Sequence, residues 1–123
     1  MSESALQKRV RLALSDAGHL SFRNNIGTAE FFNERAERPD VVAYGVGGPG
    51  GSDLIALVKL PSGLARFVAL ELKAPGARTP PKRAALQAQF RALVRSAGGF
   101  AAVVTSEAEA LAACERARMG ASE

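Results

Sequence analysis

The stretch Asp53-Leu54-Ile55-Ala56-Leu57-Val58-Lys59-Leu60-Pro61-Ser62-Gly63-Leu64-Ala65-Arg66-Phe67-Val68-Ala69-Leu70-Glu71-Leu72-Lys73 decides the fold. Two apolar runs, Asp53 to Leu60 and Leu64 to Lys73, flank Pro61-Ser62-Gly63, which has the composition of a tight turn, so the segment reads as a β-hairpin. Pairing about Ser62 sets Asp53 opposite Glu71, because both lie equally far from that residue; a bulge would shift the register. Alternation sends Val68, Leu70 and Leu72 to one face of the second strand and Ala69, Glu71 and Lys73 to the other. Two carboxylates and an ammonium therefore converge at the open end of an apolar hairpin. Paired acids can hold a hard divalent cation, and a neighbouring ammonium can orient water or steady charge developing on a phosphate. The plain alternative is a hairpin whose aspartate caps a turn and whose glutamate and lysine form a solvated pair.

On the N-terminal side, Leu6, Val10, Ala13, Leu14 and Ala17 recur at helical spacing from Ser4 to about Ala17. Ser4-Ala5-Leu6-Gln7 fits a capping box, and Gly18 ends the helix. Glu3, projected onto this helix, falls on the core-facing arc of Val10 and Leu14; an acid favoured in the first turn by the helix dipole accounts for it equally well. Leu20 to Ile26 reads as a strand. Gly27 to Gly51 has no clear period, so one strand near Val41 to Tyr44 is expected and the rest as loop. The run Gly45-Val46-Gly47-Gly48-Pro49-Gly50-Gly51 lacks a following Gly-Lys-Ser/Thr and a helix pattern, which argues against a mononucleotide-binding loop.

On the C-terminal side, Ala74 to Thr79 is a loop, and Pro80-Pro81 suits the first turn of a helix running to about Ala97. Leu86, Phe90, Leu93, Val94 and Ala97 form its apolar stripe, with Gln87 at one edge and Gln89 at the other. Gly98-Gly99 caps it, and Phe100 to Val104 reads as a buried strand. Ser106-Glu107-Ala108-Glu109 is a capping box opening a last helix to about Ala117, with 116–123 as a frayed tail. The helix after the hairpin can cross over and set Phe100 to Val104 parallel to the preceding strand. The fold class is then α/β, a central mixed sheet flanked by helices.

A chain of 123 residues has room for one domain, burying roughly two thirds of its unfolded surface. Its 47% apolar and 23% charged content is that of a globular protein. A net charge of +4 is compatible with a nucleic-acid partner and shared by many other proteins. Cys114, the sole cysteine, excludes an internal disulfide and a multi-cysteine zinc site and suits a reducing cytoplasm. His19, the sole histidine, excludes a histidine cage and reads as structural at a helix end. Charges at Glu3, Lys8, Arg9 and Arg11 make the first eighteen residues neither signal peptide nor membrane span.

The ordered set of an acid-bearing first helix, Arg23-Asn24-Asn25 with Gly27, Gly51-Ser52-Asp53-Leu54-Ile55, Glu71-Leu72-Lys73, a helix with Gln87 and Phe90, then Gly98-Gly99 and an apolar strand resembles one family. That family is the VRR-NUC domain, a branch of the PD-(D/E)xK nuclease superfamily, and the likeness runs from Glu3 to about Leu111. It is especially similar to the small standalone versions of phages and bacteria, with a longer stretch from Gly76 to Gln87. The resemblance implies a restriction-endonuclease-like core and a Mg²⁺- or Mn²⁺-dependent DNA endonuclease. Structured or branched DNA, such as flaps or Holliday junctions met in DNA repair, is the implied substrate. A homodimer in the cytoplasm of a bacterial or phage-infected cell is the implied state.

Carried over residue by residue, the family pattern makes Asp53 and Glu71 the metal-binding acids, with the Leu72 backbone carbonyl beside them, and Lys73 the catalytic lysine. Glu3 matches the acid of the first helix and Gln87 the family glutamine, with Gln89 as the other candidate. Arg23, Asn24, Asn25, Ser52, Arg78, Lys82 and Arg83 are the expected nucleic-acid contacts, although turn formation explains the two asparagines equally well. Lys8, Arg9, Arg11, Arg91 and Arg95 could add phosphate contacts whose strength falls as salt rises. No aromatic platform for single-strand stacking is visible in the sequence, which points to backbone and shape recognition. The rival reading is a non-catalytic DNA-binding or regulatory module retaining the same fold. A restriction-type enzyme with a fixed recognition sequence ranks third.

Overall fold

In the computed structural model, which describes residues 1–122, the chain runs α1 (Glu3–Asp16), β1 (Leu20–Arg23), β2 (Gly27–Asn33), β3 (Arg38–Tyr44), β4 (Leu54–Lys59), β5 (Ala65–Leu72), α2 (Pro81–Ser96), β6 (Phe100–Val104) and α3 (Glu107–Arg118). β1, β4, β5 and β6 form one sheet in that spatial order, the first three antiparallel and β6 parallel to β5 through the α2 crossover. The domain is thus α/β with a four-stranded mixed sheet. In the hairpin, Leu54 faces Leu70 and Lys59 faces Ala65, a register centred on Ser62 as the turn composition predicts.

Period-two alternation divides the sheet between two helical layers. Leu54, Ala56, Val58, Val68, Leu70, Leu72, Phe100 and Val104 are buried with Leu6, Val10 and Leu14 of α1 and Ala110, Ala113, Cys114 and Ala117 of α3. The alanines leave α3 a smooth face that can approach the sheet closely. On the opposite face Ile55, Ala69 and Ala101 pack with Phe90 and Val94 of α2. Cys114 is fully buried, and burial pushes its thiol up to about 11, so it is a small core residue rather than a nucleophile. No helix of the described residues is long and apolar enough to cross a membrane.

Several elements differ from the sequence expectation. α1 starts earlier, with Ser2 rather than Ser4 as its cap: the Ser2 hydroxyl accepts from the Ala5 N–H at 3.1 Å. Glu3 thereby enters the first turn, where the helix dipole favours an acid. β1 ends at Arg23 because the Asn24 side chain turns away to bond the backbone of Val46 and Ser52. Gly27 to Tyr44, expected to be mostly loop, is a ribbon of two seven-residue strands paired from Gly27 opposite Tyr44 to Asn33 opposite Arg38. Neither face of the ribbon packs on the core, and Phe31, Phe32, Val41 and Val42 are exposed on its two sides. With no buried face there is no alternation to read.

In α2 the exposed Leu93 and Ala97 lie off the packed face, and Gln87 occupies a buried position in their place. The glycine run is a packing feature: a Cβ on Gly50 would stand 2.6 Å from the Leu86 carbonyl carbon, and one on Gly47 would overlap the Phe90 ring. α3 continues to Arg118, Ala117 is fully buried and Ala121 packs on the core, so residues 116–121 are not the frayed tail expected from the sequence. Residue 123 lies outside the described residues. Ser106 caps α3 through the Glu109 N–H, but the Glu109 carboxylate bonds Thr105 rather than closing a capping box on Ser106.

Arg66 ties the C-terminal ends of two helices to the sheet. Its guanidinium donates to the carbonyls of Gly98 at 3.0 Å, Ala117 at 2.9 Å and Gly99 at 3.3 Å, and lies 5.8 Å from the Phe100 ring centre. These bonds fasten the end of α3 and the two glycines after α2 to β5, and the Ala117 carbonyl also accepts the Gly120 N–H at 3.2 Å. Arg66→Ala is expected to cost about 2–3 kcal/mol in urea unfolding, and Arg66→Lys, which cannot form the fork, most of the same.

Candidate active site

The hairpin register, carried one residue past Leu54 and Leu70, brings Asp53 opposite Glu71 at the open end of the sheet. The face bearing Glu71 and Lys73 is the α2 face, so these side chains look toward that helix rather than into bulk water. Glu71 is only 3% exposed. Gln87 reaches from α2 and donates through Nε2 to Glu71 Oε1 at 2.8 Å; Lys73 Nζ lies 3.4 Å from the same oxygen. Asp53 Oδ2 accepts the Leu72 N–H at 2.7 Å, which fastens the aspartate to the end of β5.

Glu71 Oε2 is buried without a hydrogen-bond partner. Burial foremost, then the negative charge of Asp53, pushes the Glu71 carboxyl up to about 7, with Lys73 pulling the other way. A buried pair retained for stability normally satisfies all its polar atoms, because each bare one is costly. Here one carboxylate oxygen is left open beside a second carboxylate. That is the signature of a ligand-binding position more than of a structural ion pair.

The acids lie in an open cavity of about 750 Å³ whose lining includes Glu3, Asp53, Glu71, Lys73 and Gln87, with Arg78, Lys82 and Arg83 on its wall. α2 begins at this wall. Its N-cap Pro80 provides no side-chain hydrogen bond, and the first turn holds no acid. Cations there oppose the helix dipole when nothing is bound, whereas an anion at the same place meets N–H groups, dipole and side-chain charge together.

Thus Asp53, Glu71, Lys73, Gln87 and Glu3 line one cavity with Arg78, Lys82 and Arg83. Gln87 is the glutamine that reaches Glu71; Gln89 is exposed and lines a separate hollow with Ala92 and Leu93. Arg23, Asn24 and Asn25 line an adjoining hollow of about 480 Å³ that shares Asp53 and Ile26 with the larger cavity. Asn24 and Ser52 differ from the other expected nucleic-acid contacts. The Asn24 amide is bonded to Val46 and Ser52 backbone and holds the loop, and Ser52 is 1% exposed, which leaves its side chain out of reach of a ligand. Arg9 pairs with Glu107 at 3.7 Å, Arg95 donates to the Ala101 carbonyl, and Lys8 and Arg11 border a different hollow with His19. Gln7 and Tyr44 also line the hollow beside Asp53; the sequence reads them as a capping-box residue and the end of a strand, and neither reading points to a site.

Among the described residues no three His, Cys, Asp or Glu side chains cluster as a metal cage. The donors at hand are the bare Glu71 Oε2 and the Asp53 carboxylate, whose Oδ2 also accepts the Leu72 N–H. Hard oxygens from two carboxylates, with space for water, suit Mg²⁺ or Mn²⁺, which retain several waters. No protein-family model matches this chain, nor does any curated protein or solved structure match it significantly.

Proposed function

We propose that the chain is a Mg²⁺- or Mn²⁺-dependent DNA endonuclease with a restriction-endonuclease-like core of the VRR-NUC kind. The observation that carries the reading is Glu71, a buried carboxyl with one oxygen bare, beside Asp53 and Lys73 in a cavity with cationic walls. Asp53 and Glu71, with the Leu72 carbonyl, would hold the ion. When bound, it masks phosphate charge and acidifies water. Gln87 and Lys73 both engage Glu71 Oε1, which leaves Oε2 as the free donor and fixes the carboxylate plane. Lys73 is 19% exposed at its side chain, enough to orient or deprotonate the attacking water, or to neutralise charge in the pentacovalent transition state. Arg78, Lys82, Arg83 and the start of α2 bind flanking phosphates, and Glu3 provides an acceptor for water at the edge of the site.

The test is labelled duplex, flap and four-way-junction DNA incubated with and without Mg²⁺ or Mn²⁺. Metal-dependent cleavage by the wild type, lost in Glu71→Gln, is expected, with branched substrates preferred as the family resemblance implies. No cleavage in either metal, or equal cleavage by the variant, contradicts the reading; salt-sensitive binding without cleavage would favour the non-catalytic module. The triple substitution of Arg78, Lys82 and Arg83 to Ala should weaken binding across sequences and flatten the slope of log affinity against log salt by roughly one for each phosphate that is no longer neutralised.

Homodimerisation belongs to the same proposal. The β2–β3 ribbon exposes Phe31, Phe32, Val41 and Val42 on both faces, and a two-stranded ribbon is marginal unless something covers it. Light scattering after gel filtration should give twice the chain mass for the wild type and the monomer mass for Phe31→Ser with Phe32→Ser.

A further inference from the structure

The hollow beside Asp53 is built differently from the cationic cavity it adjoins. Its wall combines Tyr44, Arg23, Asn25 and Gln7 with the shared Asp53 and Ile26. Tyr44, the last residue of β3, sits opposite Gly27 in the ribbon. Its ring fills the space that a Gly27 side chain would occupy: a Cβ there would overlap the hydroxyl and come 2.7 Å from Cζ. The tyrosine is nonetheless 50% exposed. Backing on glycine and exposure toward a hollow make it a platform, braced on one side and open on the other.

The platform is also fixed relative to the acids. Two residues after Tyr44, Val46 exchanges two hydrogen bonds with the Asn24 side chain, each 2.9 Å. The Asn24 N–H in turn donates to the Asp53 carbonyl at 2.9 Å, and its amide to the Ser52 carbonyl at 2.9 Å. Gly45, between Tyr44 and Val46, lies so near the Asn25 carbonyl that a Cβ would stand 2.6 Å from it. Tyr44 and Asp53 are therefore joined through one asparagine and short stretches of backbone, which fix the Tyr44 backbone relative to the acids.

The chemistry of the hollow is that of a nucleotide. An aromatic face stacks on any base, amides such as Gln7 and Asn25 match the donors and acceptors of a base edge, and the Arg23 guanidinium pairs with a phosphate. A base inside a duplex has no free face to offer, so only an unpaired one can use this surface. We propose that the hollow binds one unpaired nucleobase next to the scissile phosphate, stacked on Tyr44. The preferred substrate is then DNA with a single-stranded nucleotide at the point of cleavage, a conclusion that rests on the nuclease reading of Asp53 and Glu71. Tyr44 is a specificity-determining residue and takes no part in the chemistry.

The experiment uses forked DNA with 2-aminopurine placed in turn at each unpaired position near the branch, mixed with the full chain in Ca²⁺. Binding is read by anisotropy and stacking by quenching of the 2-aminopurine. Wild type and Tyr44→Phe should bind and quench at one position near the branch. Tyr44→Ala should bind the fork roughly 5- to 150-fold more weakly and lose the quenching, while duplex affinity is unchanged. Gly27→Ala, which keeps the tyrosine but displaces its ring, should lose the same quenching; it guards against a Tyr44→Ala chain that simply fails to form the ribbon. Fork binding with no quenching at any position, or with quenching equal in Tyr44→Ala and Gly27→Ala, overturns the stacking site and leaves the nuclease reading standing. No binding to any DNA removes both.

Discussion

Glu71→Gln is expected to abolish the proposed cleavage and, near pH 8 without metal, to yield a protein more stable than the wild type. The two effects have one cause. Burial and the Asp53 charge raise the Glu71 carboxyl from 4.5 to about 7 in the folded chain. Between those values the native state holds a proton that the unfolded state has released, so stability falls as pH rises. The contribution is fully present below the unfolded value of 4.5 and lost once pH passes about 7, at a cost of roughly 3 kcal/mol for the ionised buried group. Glutamine keeps the shape and an oxygen for Gln87 Nε2, and it removes the charge that Asp53 repels. Urea unfolding in EDTA should show a gain of about 1–3 kcal/mol near pH 8 that shrinks toward pH 5. Cleavage should fall about a thousandfold or more, because a cation ligand is gone. A variant destabilised near pH 8 would instead mark Glu71 as half of a structural ion pair with Lys73.

Lys73→Met separates binding from chemistry. The ammonium lies 3.4 Å from Glu71 and 19% exposed, placed to act at the edge of the cavity rather than to support the core. Loss of a positioned proton donor or acceptor costs about 10²–10⁴ in rate. Single-turnover cleavage should drop by that range while DNA affinity changes only a few fold, and methionine preserves the packing of the lysine stem. The same substitution should move Glu71 in a known direction. Lys73 lowers its pKa and Asp53 raises it, so Lys73→Met shifts the Glu71 titration upward and Asp53→Asn shifts it downward. Carboxyl carbon NMR on metal-free protein reads both signs. Shifts of the same sign, or cleavage unaffected by Lys73→Met, would mean that the three side chains do not act as one site.

The hairpin was legible because each of its signals is local. The Pro61-Ser62-Gly63 turn sets a register that alternation then extends, and the two together place Asp53 opposite Glu71 on the α2 face. Gln87 was legible only as one of two edge positions on α2, since periodicity gives the face of a helix and not the depth of a side chain; its burial against Glu71 separates it from Gln89. Only the second strand of the ribbon was legible, as a strand near Val41 to Tyr44; its partner, Gly27 to Asn33, was not. The ribbon's large apolar residues are exposed on both sides and belong to neither core cluster, so the pattern that normally announces a strand is missing. Tyr44 could be placed on a strand, but without the strand paired to it nothing brought it to the hollow beside Asp53. Asn24 and Ser52 show a different limit: polar residues next to the candidate site read as ligand contacts in sequence, yet in the fold Asn24 holds backbone and Ser52 is buried. Arg66 reads as one more surface charge until the ends of α2 and α3 are brought to it.

The central claim is that Asp53 and Glu71 form a cation site. Crystals soaked in Mn²⁺ and measured at the manganese absorption edge test it most directly. The account predicts an anomalous peak between Asp53 and the Glu71 Oε2 oxygen in the wild type, absent from Glu71→Gln soaked in parallel. A wild-type crystal without that peak, or an equal peak in the variant, would contradict it.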